Sequence, residues 1–278
     1  MQGRRLGFAL ANRYKTAAGA RDSRDKRPMS VTSGAKRKEG GIGETLRVIF
    51  HALIIALVIR TVLFQPFNIP SGSMKATLLV GDYLFVSKYS YGYSHFSLPF
   101  SPPIFSGRIF ASQPDRGDVV VFRLPKDTST DYIKRVIGLP GDKIQMVDGV
   151  LHINGQAIKR EASPAFVEAE EGLPAAPVRR WKETLPNGVS YHVLDLVENG
   201  FADNTQVYSV PPGEYFMMGD NRDNSTDSRF SQVGTVPFEN FIGRAQIIFF
   251  SVYEGERAWE FWRWPVSVRW SRLFTIVR

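Results

Sequence analysis

The longest apolar run in the chain lies between Glu44 and Phe64 and reads Thr-Leu-Arg-Val-Ile-Phe-His-Ala-Leu-Ile-Ile-Ala-Leu-Val-Ile-Arg-Thr-Val-Leu-Phe from Thr45. It shows no polar stripe, and about 20 residues make about 30 Å of helix, the thickness of a hydrocarbon core. Arg60 would cost about 2.5 to 3.5 kcal/mol at a bilayer centre, but near the far end its long side chain reaches the headgroups. The run leads into Gln65-Pro66-Phe67-Asn68-Ile69-Pro70 with no small-residue cleavage site. We read a retained transmembrane helix over 44–64, in preference to a removed signal sequence or a buried helix of a soluble protein.

Beyond it the pattern changes from continuous to alternating. Short apolar stretches at Val80–Val86, Val119–Leu124, Tyr132–Leu139, Lys143–Ile153 and Ile242–Val252 are separated by Gly, Asp and Pro. That pattern predicts strands joined by turns, with hairpins at Asp148-Gly149 and Pro186-Asn187-Gly188. The expectation is a mainly β fold, an N-terminal transmembrane helix followed by an all-β extracytoplasmic domain. The core of that domain spans 65–154 and 209–257. Residues 155–208, with their Glu/Ala/Pro run, read as an inserted β-rich sub-domain, and 92–114 as a long surface loop. Residues 258–278 interleave Trp259, Trp262, Trp264 and Trp270 with Arg263, Arg269 and Arg272. Such a segment suits either a membrane interface or a helix packed on the domain.

Charge refines this picture. Of 35 Lys/Arg and 27 Asp/Glu, residues 1–47 hold 12 and 4, leaving 23 of each, so the net charge of +8 resides in the N-terminal tail. Residues 1–43 read as a disordered cytoplasmic tail. A neutral body behind a basic tail and an apolar run fits the positive-inside rule and argues against nucleic acid as a partner. The orientation expected is N-terminus cytoplasmic, body extracytoplasmic. There is no cysteine, so neither disulfides nor thiolate metal sites arise. The polar loop from Asp223 is no calcium loop, since Ser228 and Gly234 stand where Gly and Glu are needed. No metal or cofactor is expected.

Two stretches carry candidate chemistry. In Ile69-Pro70-Ser71-Gly72-Ser73-Met74, Pro70 and Gly72 specify the backbone around two serines. None of the four histidines stands in a spacing that makes a triad, and His192 and Asp195 fall on opposite faces of a predicted strand. A lysine is the remaining base. Lys134 lies in an apolar strand whose neighbours would dry its ammonium and favour the neutral amine. On the strand alone, a solvated lysine or one salt-bridged to Asp131 or Asp142 is the better reading of it.

The set of motifs changes the balance. Ile69–Met74, Arg116–Phe122, Tyr132–Asp142 and Gly219–Arg229 (Gly-Asp-Asn-Arg-Asp-Asn-Ser-Thr-Asp-Ser-Arg), in this order behind an anchor, resemble the bacterial type I signal peptidases. The resemblance implies a serine endopeptidase with a Ser/Lys dyad. It would cleave signal peptides from exported preproteins after small residues (Ala-x-Ala sites), at the outer face of the plasma (inner) membrane, on the periplasmic side and near the secretion translocase. It implies Ser73 as nucleophile and Lys134 as general base. Ser71 and the Ser73 N–H would serve the oxyanion, Ser225 would orient the lysine, and Asp227 and Arg229 would support it. Ile69, Pro70, Met74, Tyr132 and Ile133 would line the substrate pockets. Ala76 stands where the family commonly has proline. Rival readings are a soluble self-cleaving Ser/Lys protein and a non-catalytic anchored β-domain.

Overall fold

The computed structural model describes residues 41–167 and 176–278; the tail up to residue 40 and most of the Glu/Ala/Pro run lie outside the described residues. Helix α1 spans Ile42–Val58 and continues as a wider π-type turn, Ile59–Leu63. These 22 residues bury none of their apolar window and are long and apolar enough to cross a membrane. From Leu46 on, the chain forms one unit.

The strands follow in order: β1 Phe64–Asn68, β2 Asp82–Ser87, β3 Val119–Leu124, β4 Asp127–Gly138, β5 Lys143–Val147, β6 Val150–Ile153, β7 Gln156–Ala157 and β8 Lys159–Phe166. After these come β9 Val178–Thr184, β10 Ser190–Asp195, β11 Tyr208–Ser209, β12 Glu214–Met218, β13 Val236–Pro237, β14 Phe241–Ser251 and β15 Thr275–Ile276. The fold is mainly β with one N-terminal apolar helix, as the alternation predicts. The Asp148-Gly149 turn between β5 and β6 holds both residues at positive φ, 48° and 72°, which is why that dipeptide ends one strand and starts the next.

The main sheet runs β1-β2-β14-β3-β4-β12-β13, with β15 paired to β14. Its central strand β3 is apolar at consecutive positions because both faces are covered. Val119 and Val121 enter one core with Met74, Leu84 and Ile248, while Val120 and Phe122 enter another with Val136, Tyr215 and Phe241. Burying each such side chain contributes about 1.5 to 3 kcal/mol. A third core, under Ile144, Leu151, Val193 and Phe216, joins the main sheet to two smaller ones, β11-β5-β6-β7 and β10-β9-β8. The latter is built from residues 159–195.

Two connections depart from simple loops. Residues 92–114 are pinned by Arg108, whose guanidinium donates to the carbonyls of Tyr91 (3.0 Å), Gly92 (2.7 Å), Phe238 (2.9 Å) and Phe241 (2.8 Å). The C-terminal segment divides its residues between two sides. Arg272 grips Asp82 through Nε (3.0 Å) and Nη2 (2.5 Å), and Arg269 is buried against Val80 and Ser251, whereas Trp259, Phe261, Trp262 and Trp270 stay exposed.

Candidate active site

Ser73 sits in a single 3-10 turn, Gly72–Met74, entered from an extended Ser71 (φ −133°, ψ 153°). The turn is held by what lies on either side of it. Ile69 N–H donates to Asp82 O and Gly81 N–H to Ile69 O; Met74 is driven fully into the core. With its neighbours fixed, the serine hydroxyl has a defined direction.

Lys134 comes from β4, paired opposite Val120 of β3, and is 4% exposed. Its Nζ lies 2.6 Å from Ser73 Oγ and 3.1 Å from Ile133 O. Burial lowers its pKa to about 8, against the opposing pull of Asp227 and Asp220 and with some help from Arg229. A substantial fraction of the amine is therefore neutral just above neutrality. The salt-bridge alternative does not form: Asp131 pairs with Arg123 at 3.1 Å and Asp142 with Arg116 at 2.8 Å. Lys75, two residues from Ser73, extends toward Glu254 (3.7 Å). Ser71 Oγ is 3.5 Å from Ser73 Oγ.

The loop after β12 closes the site from below. Asn221 N–H donates to Ser73 O and its Nδ2 to Gly72 O, both at 3.1 Å. Asp227 accepts from Ser225 Oγ (2.8 Å), from Gly219 N (3.0 Å) and from Arg229 Nε and Nη2 (2.9 Å each). Burial alone would raise the Asp227 carboxyl, but Arg229 and these donors outweigh it and hold the pKa below the usual carboxylate range. Arg135 is wholly buried and doubly bonded to Asp220, Nε at 2.8 Å and Nη2 at 2.6 Å. Gly219 is required by space: a Cβ there would stand 2.2 Å from Ser225 Oγ and 2.6 Å from Ser73 O.

Three comparisons bear on this arrangement. The model of a family described as signal peptidase, peptidase S26, matches residues 42–250. The chain belongs to this family. Signal peptidase I of Rickettsia conorii (strain Malish 7) is 53% identical over 207 residues, 72% of this chain and 76% of its own. The Rickettsia typhi (strain Wilmington) protein is 52% identical over the same shares. A solved signal peptidase I from Enterococcus faecalis V583 is 25% identical and covers 48% of this chain and 97% of its own; its TM-score of 0.28 is too low to carry a structural argument. As a member of the signal peptidase family the protein is a peptidase, a hydrolase, with an N-terminal helix that fits membrane anchoring.

Ser71, Ser73, Lys134, Ser225, Asp227 and Arg229 therefore converge in one place, although the Ser225 hydroxyl is given to Asp227. Among the residues expected to line substrate pockets, Pro70 is exposed and Tyr132 and Ile133 are half-buried, packed against different cores. Ile69 and Met74 lie within the core beneath Ser73, 3% and 0% exposed. Sequence reasoning quoted Asp220 and Asn221 without giving either a role. The signal for Asn221 was its place two residues after a glycine in a polar loop too dense to be mere solvent-facing turn. No His/Asp/Glu group suited to a metal occurs among the described residues.

Proposed function

We propose that the protein is a membrane-anchored serine endopeptidase that removes N-terminal signal peptides from exported preproteins, with Ser73 as nucleophile and Lys134 as general base. The observation that carries this reading is the 2.6 Å contact between the buried Lys134 amine and the Ser73 hydroxyl. In its neutral form the amine takes the Ser73 proton as Oγ attacks the scissile carbonyl. The ammonium so formed returns that proton to the departing amine, leaving an acyl ester on Ser73. Water, deprotonated by the same amine, then hydrolyses the ester. Ser71 O–H and Ser73 N–H stabilise the oxyanion of both tetrahedral intermediates, a contribution of about 100- to 1000-fold per donor. Ser225, which the family resemblance assigns to orienting the lysine, is held by Asp227, itself clamped by Arg229.

Substrate choice is assigned by the family resemblance. Ile69, Pro70, Met74, Tyr132 and Ile133 would line shallow apolar pockets, which exclude large side chains by clash and select small residues such as the alanines of an Ala-x-Ala site. The helix and the exposed Trp259, Trp262 and Trp270 keep the site near the outer surface of the plasma membrane, close to the secretion translocase, where cleavage regions emerge. Tethering there raises the effective substrate concentration. The test is cleavage of an Ala-x-Ala preprotein by detergent-solubilised wild type, Ser73→Ala and Lys134→Ala, with products weighed by mass spectrometry. A single cut after the second alanine, absent from both folded variants, supports the reading; wild-type cutting by either variant overturns it.

A further inference from the structure

Residues 155–208 carry none of the motifs that identify the family, yet the β8–β10 sheet touches the catalytic loop directly. Leu194 of β10 donates its N–H to Asp220 O (2.8 Å) and forms a parallel bridge with Asn221. Opposite one another in this sheet stand Glu183 of β9 and Tyr191 of β10. Glu183 is wholly buried and grips Arg222 with both oxygens, Nη1 to Oε1 at 2.8 Å and Nη2 to Oε2. Tyr191 O–H donates to the same carboxylate at 2.9 Å, and its ring lies 4.1 Å beneath the Arg135 guanidinium. The carbonyl of Arg222 in turn accepts from Arg229 Nη2 at 2.5 Å, and Arg229 clamps Asp227.

The pairing of charges makes the contact more than packing. Three buried guanidinium groups beside the site are each held by a buried carboxylate, Arg135 by Asp220, Arg229 by Asp227 and Arg222 by Glu183. The inserted sheet supplies the carboxylate that holds Arg222. Without it, Arg222 would be left buried and unpaired, and the nearest anionic partner, Asp220, already holds Arg135 and Thr77. A shift of Asp220 moves Asn221, whose two hydrogen bonds hold the Ser73 turn.

We propose that the inserted sheet is a working part of the active site, with Glu183 as a positioning residue that fixes loop 220–229 through Arg222 and so sets the Ser73 and Ser225 geometry. This rests on the Ser73/Lys134 reading. Removing one partner of a buried pair destabilises, whereas replacing both by apolar groups is near neutral for stability; a positioning role and a purely structural one therefore part company in the double variant.

The experiment uses the full chain in detergent, an Ala-x-Ala preprotein, and kcat and KM per folded molecule beside thermal melts. Glu183→Gln is expected to lower both Tm and kcat, kcat by about tenfold with KM nearly unchanged. Glu183→Met with Arg222→Met is expected to regain Tm but not kcat. A kcat that stays at the wild-type value per folded molecule in either variant overturns the proposal. Tyr191→Phe keeps the ion pair and removes one hydrogen bond from Glu183, so it decides the matter should the charge variants fail to fold. A loss of about threefold in kcat supports the proposal, and an unchanged kcat overturns it. Ser73→Ala and Lys134→Ala run alongside: activity in either fells the dyad and this proposal with it, whereas inactive dyad variants beside a fully active Glu183→Gln fell this proposal alone.

Discussion

Two lysines in this protein have been dried to nearly the same degree. Lys134 and Lys88 are 4% and 3% exposed, and in both burial is the main cause that lowers the pKa to about 8. Lys134 is countered by two carboxylates, while Lys88 is lowered further by Arg60 and Arg123 and countered by Asp131. The difference lies in the atom each faces. Lys134 meets a serine hydroxyl, which has a proton to give, at 2.6 Å. Lys88 meets the carbonyl of Ser97, which has none, at 2.5 Å. A perturbed amine can act as a base only where geometry supplies an acid, so pKa alone does not separate Lys134, the proposed base, from Lys88.

The largest effect that tests this contrast is loss of activity. Ser73→Ala and Lys134→Met should each lower kcat/KM by about 10^4-fold or more, while Lys88→Met should stay within about threefold of wild type; preprotein cleavage under single-turnover conditions measures both. Equal losses for the two lysines would erase the distinction.

Next are the groups around the dyad. Ser71→Ala, which removes the proposed oxyanion donor, should cost about 100- to 1000-fold in kcat with little change in KM. Asp227→Asn weakens the hold on Ser225 and Arg229 and should cost about 10- to 100-fold. A larger effect in KM than in kcat would assign these residues to binding.

The pH dependence sharpens the comparison further. The base must be neutral to accept a proton, so kcat/KM should rise with pH with a midpoint near 8, and Lys88→Met should leave that limb in place. A limb that moves in Lys88→Met would mean that Lys88 was being read.

The smallest effect is on stability. Lys134 has a folded pKa of about 8 against 10.5 for the free side chain. Below pH 8 it is protonated in both states and the folded state bears the whole penalty of burying the charge, about 3 kcal/mol. Above 10.5 it is neutral in both, and the penalty is gone. Lys134→Met should therefore melt higher than wild type at pH 7, with the gap shrinking as pH rises from 8 toward 10.5. Lys88→Met should shift in the same direction. A Lys134→Met protein that melts lower at pH 7 would contradict the strain assigned to the site.

Much of this was legible in the sequence. The stretch Val119–Leu124 announced a strand, though not that both of its faces are covered, and Pro70 and Gly72 announced a constrained serine turn. The partners of Lys134 were not legible from its strand, because Asp131 and Asp142 looked equally close until Arg123 and Arg116 claimed them. Glu183 was invisible for a similar reason. It meets Arg222 thirty-nine residues away, from β9 to the loop after β12, with no spacing to announce the contact. The C-terminal segment was ambiguous because alternation of Trp and Arg does not say which half faces in; the fold turned Arg269 and Arg272 toward Asp82 and left the indoles outside.

The most direct test follows the pH dependence of kcat/KM for an Ala-x-Ala preprotein in wild type, Lys88→Met and Lys134→Met, from well below to well above pH 8. The account predicts coincident rising limbs near pH 8 for the first two proteins and no cleavage at any pH for the third. A rising limb that survives in Lys134→Met would show that another group deprotonates Ser73.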